Sequence, residues 1–225
     1  MKSLLIITAF CLSYQGMAQN ASTDGVASMM QLYDSNGNPL LGAKRNHFIN
    51  SPYLNDNWGR GEVVFINGKK LKDAVLRFDL NDQKLHYQIG DIEFTFLDPI
   101  SAFSYTYSDD DKTYSVHFRN GYPGKNPEDK FRYYEILAEN DRYELLKFIS
   151  KKVEDYYEYN GPTSKYYKLF TSLHLYDKLE MILAPAREKQ VVEKMIPSLK
   201  EKLNLLTNKG RNIPEKDWIH WFANL

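Results

Sequence analysis

The feature that most constrains this chain is a repeated alternation of short strand patterns and turn residues between positions 61 and 183. Within a strand pattern, apolar side chains occupy every second position, so that Leu76, Phe78 and Leu80 share one face. Turn residues such as the Asn-Gly pair at 67–68 separate neighbouring patterns by roughly ten residues. This spacing predicts a mainly β (α+β) domain, built as an antiparallel meander that forms a barrel or a sandwich.

We place this β domain at residues 51–183. The predicted strands are Glu62–Ile66, Ala74–Leu80, Lys84–Ile89, Ile92–Phe96, Ile100–Tyr107, Thr113–Arg119, Phe131–Leu137, Tyr143–Ile149, Tyr166–Leu175 and Lys178–Leu183. Residues 142–157 also fit a helix, because Leu145, Ile149 and Val153 recur at helical spacing. We favour a strand there, because Leu145 and Ile149 also alternate with the polar side chains between them.

Beyond residue 183 the apolar residues recur at spacings of three and four, which predicts an amphipathic helix from about 187 to 207. The residues of this stripe are Val191, Met195, Leu199, Leu203 and Leu206. Pro197 lies inside the stripe, so the helix should be kinked or split into two shorter ones.

A second C-terminal helix is expected to begin at Pro214, because proline is favoured in the first helical turn. Its apolar face carries Trp218, Trp221, Phe222 and Leu225. This face could bind a partner or a membrane surface, but its polar face lacks the lysine-rich array typical of membrane-surface helices. We therefore expect residues 184–225 to form a helical cap that docks on the β domain.

The first 18 residues have the pattern of a secretory signal peptide. Lys2 precedes an apolar run at 4–12, and Gly16-Met17-Ala18 places small residues where a signal peptidase cleaves. No later stretch is long and apolar enough to span a bilayer, so we expect export to the periplasm or the medium without a transmembrane anchor. Residues 19–50 would form an N-terminal extension, with a short hairpin at the Asn36-Gly37 pair.

The composition of the chain argues against several kinds of functional site. The single cysteine, Cys11, lies inside the predicted signal peptide, so the mature chain would contain no disulfide, thiolate nucleophile or cysteine-ligated metal. The histidines have no metal-ligand spacing, and those at 86, 117 and 174 are expected on outward strand faces. The chain contains 29 basic and 29 acidic residues, which disfavours nucleic acid as a partner. We predict no cofactor, no metal and no catalytic nucleophile. The Asp run at 109–111 is expected to form a hairpin tip rather than a calcium site.

Tyrosines are frequent, and adjacent tyrosines on a strand point to opposite faces. Outward rings could stack on a glycan or a protein, although cross-strand aromatic pairs also stabilise sheets without any ligand. The weak ligand or partner candidates are Tyr53, Trp58, Tyr134, Tyr157 and Tyr167. Trp58 is either a stacking residue or an anchor. Pro52, Gly59 and Gly61 favour an anchor, because they fix an extended lead-in and allow a sharp turn into the first strand.

The stretch SPYLNDNWGRGEVVF, with the strands that follow, resembles a set of secreted Bacteroidota proteins whose function is not established. The matching residues are Ser51, Pro52, Tyr53, Leu54, Asn55, Trp58, Gly61, Val63, Gly68, Leu85 and Tyr87. The resemblance extends through the tyrosine-rich strands to the terminal lysine-rich helix, over about residues 51–225. It implies an exported protein and provides no catalytic residues.

Together these features predict an exported cell-envelope protein that acts as a non-catalytic binding or structural module, with an envelope glycan or protein as partner. The alternative is a hydrolase of envelope polysaccharide that uses paired carboxylates. Convergent carboxylates in a deep pocket would favour the hydrolase, whereas an exposed aromatic strip or sheet edge would favour binding.

Overall fold

Ten antiparallel strands form one sheet in the computed structural model, which describes residues 48–124, 127–157, 164–187, 189–206 and 213–225. The strands are β1 (Gly59–Phe65), β2 (Lys70–Asp79), β3 (Lys84–Ile89), β4 (Ile92–Thr95), β5 (Ile100–Asp109), β6 (Lys112–Arg119), β7 (Tyr134–Glu139), β8 (Tyr143–Tyr156), β9 (Ser164–Asp177) and β10 (Ile182–Pro185). The α-helices are α1 (Lys189–Met195), α2 (Lys200–Leu203) and α3 (Glu215–Phe222). Short 3-10 helices span Pro127–Phe131 and Pro197–Leu199.

The described residues belong to one of the two compact units of the chain, Asn46–Leu225. The predicted signal peptide, Cys11 and the hairpin at Asn36-Gly37 lie outside the described residues.

The predicted fold class is confirmed. Every observed strand overlaps a predicted one, and residues 142–157 are largely the strand β8. The sheet is open rather than a closed barrel, with the order β10-β9-β8-β7-β6-β5-β1-β2-β3-β4, so that β4 and β10 are its two ends. Turn residues lie where the sequence placed them: Gly68 has φ of +80°, and Asp110 and Asp111 have φ of +44° and +62° at the β5–β6 hairpin tip.

The connection from β4 to β5 forces the sheet to curl. β5 pairs with β1 rather than with β4, so four inter-strand steps, about 19 Å on a flat sheet, separate the two strands. Only residues 96–99 join them, and the chain bends at 97 and 98. Because a bent link of this length is too short for the flat arrangement, β1–β5 must curl.

The curled strands enclose an aromatic core. Phe78 lies at its centre, with its ring centroid 5.0 Å from those of Phe103 and Phe118. The other buried members are Val63, Leu76, Leu80, Leu85, Ile100, Tyr105, Val116, Tyr133 and Ile149.

The C-terminal helices cover a second core at the opposite end of the sheet. Trp218 is fully buried against Leu145 and Leu175 of the long β8–β9 hairpin. The first predicted helix is split at Pro197 into α1, a 3-10 turn and α2, as proline in a helix interior requires. Trp221 donates its indole N–H to the carbonyl of Lys202 at 2.9 Å, which ties α3 to α2.

Candidate functional site

Strand β4 is an edge strand whose backbone is partly free. Among the described residues it pairs only with β3, through a two-residue turn whose Gly90 has φ of +59°. The flanking pair Ile89–Ile92 of such a hairpin is hydrogen-bonded, and hydrogen-bonded pairs alternate along an antiparallel ladder. The N–H and C=O groups of Glu93 and Thr95 therefore point away from β3.

A groove of about 930 Å³ runs along this edge. Its lining residues are Tyr53, Phe65, Leu71, His86, Tyr87, Glu93, Phe94, Thr95, Phe96, Leu97 and Asp98, and we call it the edge groove. It includes both His86 and Tyr87, which neighbour each other in β3 and therefore lie on opposite faces of the sheet. The groove thus reaches both faces around the edge of β4.

One wall of the edge groove is aromatic. The ring of Tyr87 lies 5.4 Å from that of Phe94 and 4.5 Å from that of Phe96, and Phe65 is 5.8 Å from Phe96. Several large apolar side chains of the wall and of the neighbouring strands and turns are exposed, and they are Ile66, Leu71, Ile89, Ile92, Phe94 and Leu97. Leu97 is 98% exposed. Contiguous apolar groups at a sheet edge are typical of a surface that another polypeptide covers.

The other wall is polar and is organised by Arg77. Its guanidinium lies between two rings, 3.7 Å from the centroid of Tyr53 and 4.3 Å from that of Trp58. The same group donates a 2.8 Å hydrogen bond to Oε2 of Glu93. Cation–π contact on both faces and the ion pair together fix the guanidinium.

Two further groups lie against the carboxylate of Glu93. The Tyr53 hydroxyl donates to Oε1 at 3.2 Å, and His86 Nδ1 lies 2.6 Å from the same oxygen, a contact that is favourable when Nδ1 carries a proton. Burial raises the pKa of Glu93, but Arg77 and His86 outweigh this effect, and the pKa is lowered overall. Burial is the largest cause of the raised pKa of Tyr53, and Glu93 adds to it. Glu93 is therefore a carboxylate whose charge is already compensated. We call these five residues, Tyr53, Trp58, Arg77, His86 and Glu93, the Arg77 cluster.

The segment that carries Tyr53 is fastened to the sheet. Leu54 N donates to the carbonyl of Phe78 at 2.9 Å, and Leu80 N donates to the carbonyl of Pro52 at 3.0 Å. The ammonium of Lys151 in β8 donates to the carbonyls of Ser51 at 2.9 Å and Tyr53 at 2.6 Å. Gly59 and Gly61 follow, and a Cβ atom at either position would collide with the backbone of β5. Trp58 is half-buried against Arg77 in this frame, and its role as anchor or ligand group stays a prediction.

The structure separates the other predicted ligand residues from this site. Tyr134 is buried, with its ring 5.3 Å from those of Tyr122 and His174, so it offers no surface for a ligand. The expectation of an outward tyrosine is wrong there, because the segment carrying Tyr122 covers the second face of the sheet. Tyr157 is exposed, and Tyr167 is stacked on Phe48 at 4.7 Å. None of the three lines the edge groove.

The histidines differ from the expectation of ordinary surface residues. His117 is exposed, but His174 lies under Tyr134, and burial lowers its pKa to about 4. His86 belongs to the Arg77 cluster. Within the part of the chain that the structure describes, no group of three or more His, Cys, Asp or Glu side chains is arranged to hold a metal ion.

A second cleft, of about 570 Å³, lies between the cap and the sheet. Lys147 of β8 lies in it, with its ammonium 3.0 Å from Oε2 of Glu215 at the start of α3. Glu135 of β7 is the cross-strand partner of Lys147. Burial raises the pKa of Glu135, Lys147 opposes this effect and Glu215 adds to it. We call Glu135, Lys147 and Glu215 the polar seam.

Two other buried carboxylates are fully engaged in structure. Glu144 accepts from the Tyr122 hydroxyl at 2.6 Å and from Arg119 at 2.7 Å. Asp177 accepts from Arg142 at 3.0 Å and caps the following turn through the N–H groups of Leu179 and Glu180. Both join separate segments of the chain, and neither lies in the two clefts described above.

Comparison with known proteins gives no further assignment, since the chain matches no protein-family model, no curated protein and no solved structure. No helix among the described residues combines the length and the apolar character needed to cross a bilayer.

Proposed function

We propose that this chain is an exported, non-catalytic binding or structural module of the cell envelope, and that it binds by accepting an extended polypeptide strand at β4. The observation that carries this proposal is the edge groove, which reaches both faces of the sheet beside the outward backbone groups of Glu93 and Thr95. Strand addition to an exposed sheet edge is a recurring mode of peptide recognition.

The two walls define the partner's chemistry. An added strand would point alternate side chains to opposite faces. One set would contact the aromatic wall of Tyr87, Phe94 and Phe96, and the other set would meet Glu93 and Thr95. We therefore expect a segment in which apolar residues alternate with hydrogen-bond donors.

Export is part of the same proposal and is supported by two features of the sequence. Residues 1–18 have the composition of a signal peptide, and the stretch from Ser51 to Val63 resembles the secreted Bacteroidota proteins named above. A cell-fractionation experiment with an epitope at the C-terminus would test this part, with retention of the tagged chain in the cytoplasm as the contradicting result.

The binding test uses a soluble, fluorescein-labelled peptide in which valine alternates with glutamine, a neutral hydrogen-bond donor, with a peptide of the same composition in two blocks as the control. Fluorescence anisotropy should show tighter binding of the alternating peptide. Thr95→Pro should abolish this binding, because proline removes an outward N–H that a partner strand needs, while edge strands tolerate proline at such a position. Thr95→Val keeps the N–H and should bind as the wild type does. Equal binding of the two peptides, or an unaffected Thr95→Pro variant, would overturn the proposal.

A second candidate, the polysaccharide hydrolase, is favoured by the polar seam. A raised pKa suits a carboxylic acid that protonates a leaving group, and Glu215 would be the second carboxylate. If the polar seam is catalytic, Glu135→Gln should lower the rate of reducing-sugar release from envelope polysaccharide by a factor of at least about 100. Glu139→Gln, an exposed carboxylate of the same strand, is the matched control. Absence of any release by the wild type would leave the binding function alone.

A further inference from the structure

We propose that the strand which β4 accepts is β4 of a second copy of this chain, paired antiparallel about a two-fold axis that passes between the two Phe94 residues. This inference rests on the proposed function, because it requires that β4 accepts a strand. It adds the identity of the partner and the register of the pairing.

The backbone leaves few two-fold registers. Only Glu93 and Thr95 of β4 direct their N–H and C=O groups outward, so the hydrogen-bonded pairs across the axis must be formed by these two residues. Glu93 can face Glu93 of the other copy, Thr95 can face Thr95, or Glu93 can face Thr95.

The first two registers conflict with the side chains. Glu93 facing Glu93 pairs Thr95 with Asp91 of the β3–β4 turn, outside the strand, and sets two carboxylates opposite each other with no donor between them. Thr95 facing Thr95 places Ile92 against Asp98 and Glu93 against Leu97. The chain bends away from the strand at 97 and 98, so this register also has little extended backbone to pair with.

The third register is self-complementary on both faces. Glu93 of each copy exchanges backbone hydrogen bonds with Thr95 of the other, and the threonine hydroxyl meets the carboxylate as a donor. On the opposite face Phe94 meets Phe94 at a non-hydrogen-bonded position, where side chains are closest, and Ile92 meets Phe96. One patch that matches itself in this way is the requirement for a two-fold, isologous contact.

Charge also favours a second copy over a basic segment. Glu93 is already held by Arg77 at 2.8 Å and by the Tyr53 hydroxyl at 3.2 Å, so the partner has no uncompensated carboxylate to neutralise. The hydroxyl of Thr95 from the second copy, a neutral donor, satisfies the remaining hydrogen-bonding capacity of the Glu93 carboxylate. The same contact covers Ile92 and Phe94, which are exposed in the single chain. Because β4 has only four residues, we expect a weak dimer that depends on protein concentration.

Disulfide cross-linking of single-cysteine variants tests the register directly. The chain contains one cysteine, so Cys11→Ser provides a cysteine-free background. Into it we would introduce Glu93→Cys, Phe94→Cys or Thr95→Cys, and Thr113→Cys as an exposed control on β6. Under mild oxidation at high protein concentration, Phe94→Cys should form a disulfide-linked dimer at least about ten times faster than Thr113→Cys, because only residue 94 faces itself at a Cβ separation of about 4.5–5.5 Å. Glu93→Cys mixed with Thr95→Cys should give the mixed dimer.

Sedimentation velocity of the cysteine-free chain provides the second measurement. The dimer fraction should rise with protein concentration. It should disappear in Thr95→Pro and in Phe94→Asp, because the second variant places two carboxylates at the two-fold axis.

The outcomes separate the register, the partner and strand acceptance. Cross-linking that is fastest for Glu93→Cys or Thr95→Cys would overturn the register. A chain that stays monomeric, with Phe94→Cys no faster than Thr113→Cys, would overturn self-pairing. If the alternating peptide still binds in that case, strand acceptance stands and only the identity of the partner falls. If the peptide also fails, both proposals fall.

Discussion

At the scale of single residues, the Arg77 cluster shows what a sequence pattern can and cannot predict. Because Leu76 and Phe78 share one face, alternation assigns Arg77 between them to the opposite face, and proline and glycine near Trp58 indicated a fixed lead-in segment. The stacking of both Tyr53 and Trp58 on one guanidinium depends on how residues 51–58 fold back over β2, and no local pattern specifies that path. Glu93 and His86 join the cluster only through the β3–β4 register. Sequence reasoning therefore predicted two aromatic residues of the Arg77 cluster, Tyr53 and Trp58, but did not predict its charged residues.

Trp58 can now be tested as an anchor. Trp58→Ala should lower the free energy of unfolding by about 1–2 kcal/mol, because it removes a half-buried ring and one face of the cation–π contact with Arg77. Trp58→Phe keeps an aromatic ring and should lose less than half of that amount. Urea unfolding followed by circular dichroism measures both variants. Unchanged stability of Trp58→Ala together with weaker peptide binding would assign the ring to the ligand instead.

The lowered pKa of Glu93 predicts that this residue contributes to stability in a pH-dependent way. Its pKa is lowered in the folded chain, so the stabilisation is complete above the unfolded value of 4.5 and is lost as the pH falls through the folded value. The difference in unfolding free energy between wild type and Glu93→Gln should be about 0.5–1 kcal/mol at pH 7, since the side chain is partly exposed, and should decrease as the pH falls below 4.5. Thr95→Val, on the same strand and without a titrating group, should show a difference that does not vary with pH. A Glu93→Gln difference that is constant from pH 7 to pH 3 would contradict the ion pair with Arg77.

At the scale of elements, period and turn residues predicted nearly everything that is local. Lys84–Ile89 was predicted with its observed bounds, and Pro197 was correctly expected to interrupt the first helix. The strand predicted from Phe131 begins only at Tyr134, because residues before it form a 3-10 helix. Every two consecutive strands except β4 and β5 pair as expected for a meander, but the pairing of β5 with β1 involves strands far apart in sequence. The edge position of β4 follows from that pairing, which explains why sequence reasoning missed the edge groove.

The cap provides a prediction at this scale. Trp218 of α3 is fully buried against the sheet, so Trp218→Ala should destabilise the protein by about 3–5 kcal/mol through lost burial and a cavity. Ile219, the next residue of the same helix, is exposed, and Ile219→Ala should cost less than about 0.5 kcal/mol. Thermal unfolding of the two variants measures the contrast. Similar melting temperatures for both would mean that α3 does not dock as the structure shows.

At the scale of the whole molecule, β8 joins the core under the cap to the aromatic core of the curled strands. β8 contributes Leu145 to the core under the cap and Ile149 to the aromatic core of the curled strands. The polar seam at Lys147 lies between them on the same strand. Because neither core is complete without β8, its unfolding should remove both at once.

We therefore expect a single cooperative unfolding transition rather than separate loss of the cap and the curled strands. In a Trp58→Phe background the remaining tryptophans, Trp218 and Trp221, both lie in α3, so their fluorescence reports on the cap, while far-ultraviolet circular dichroism reports mainly on the sheet. Urea titrations followed by the two signals should give the same midpoint and the same slope. Ile149→Ala, which lies outside the cap core, should shift both midpoints downward by the same amount, since the two cores share one strand. A fluorescence transition that stays in place while the circular dichroism transition shifts would show that the cores unfold independently and that β8 does not couple them.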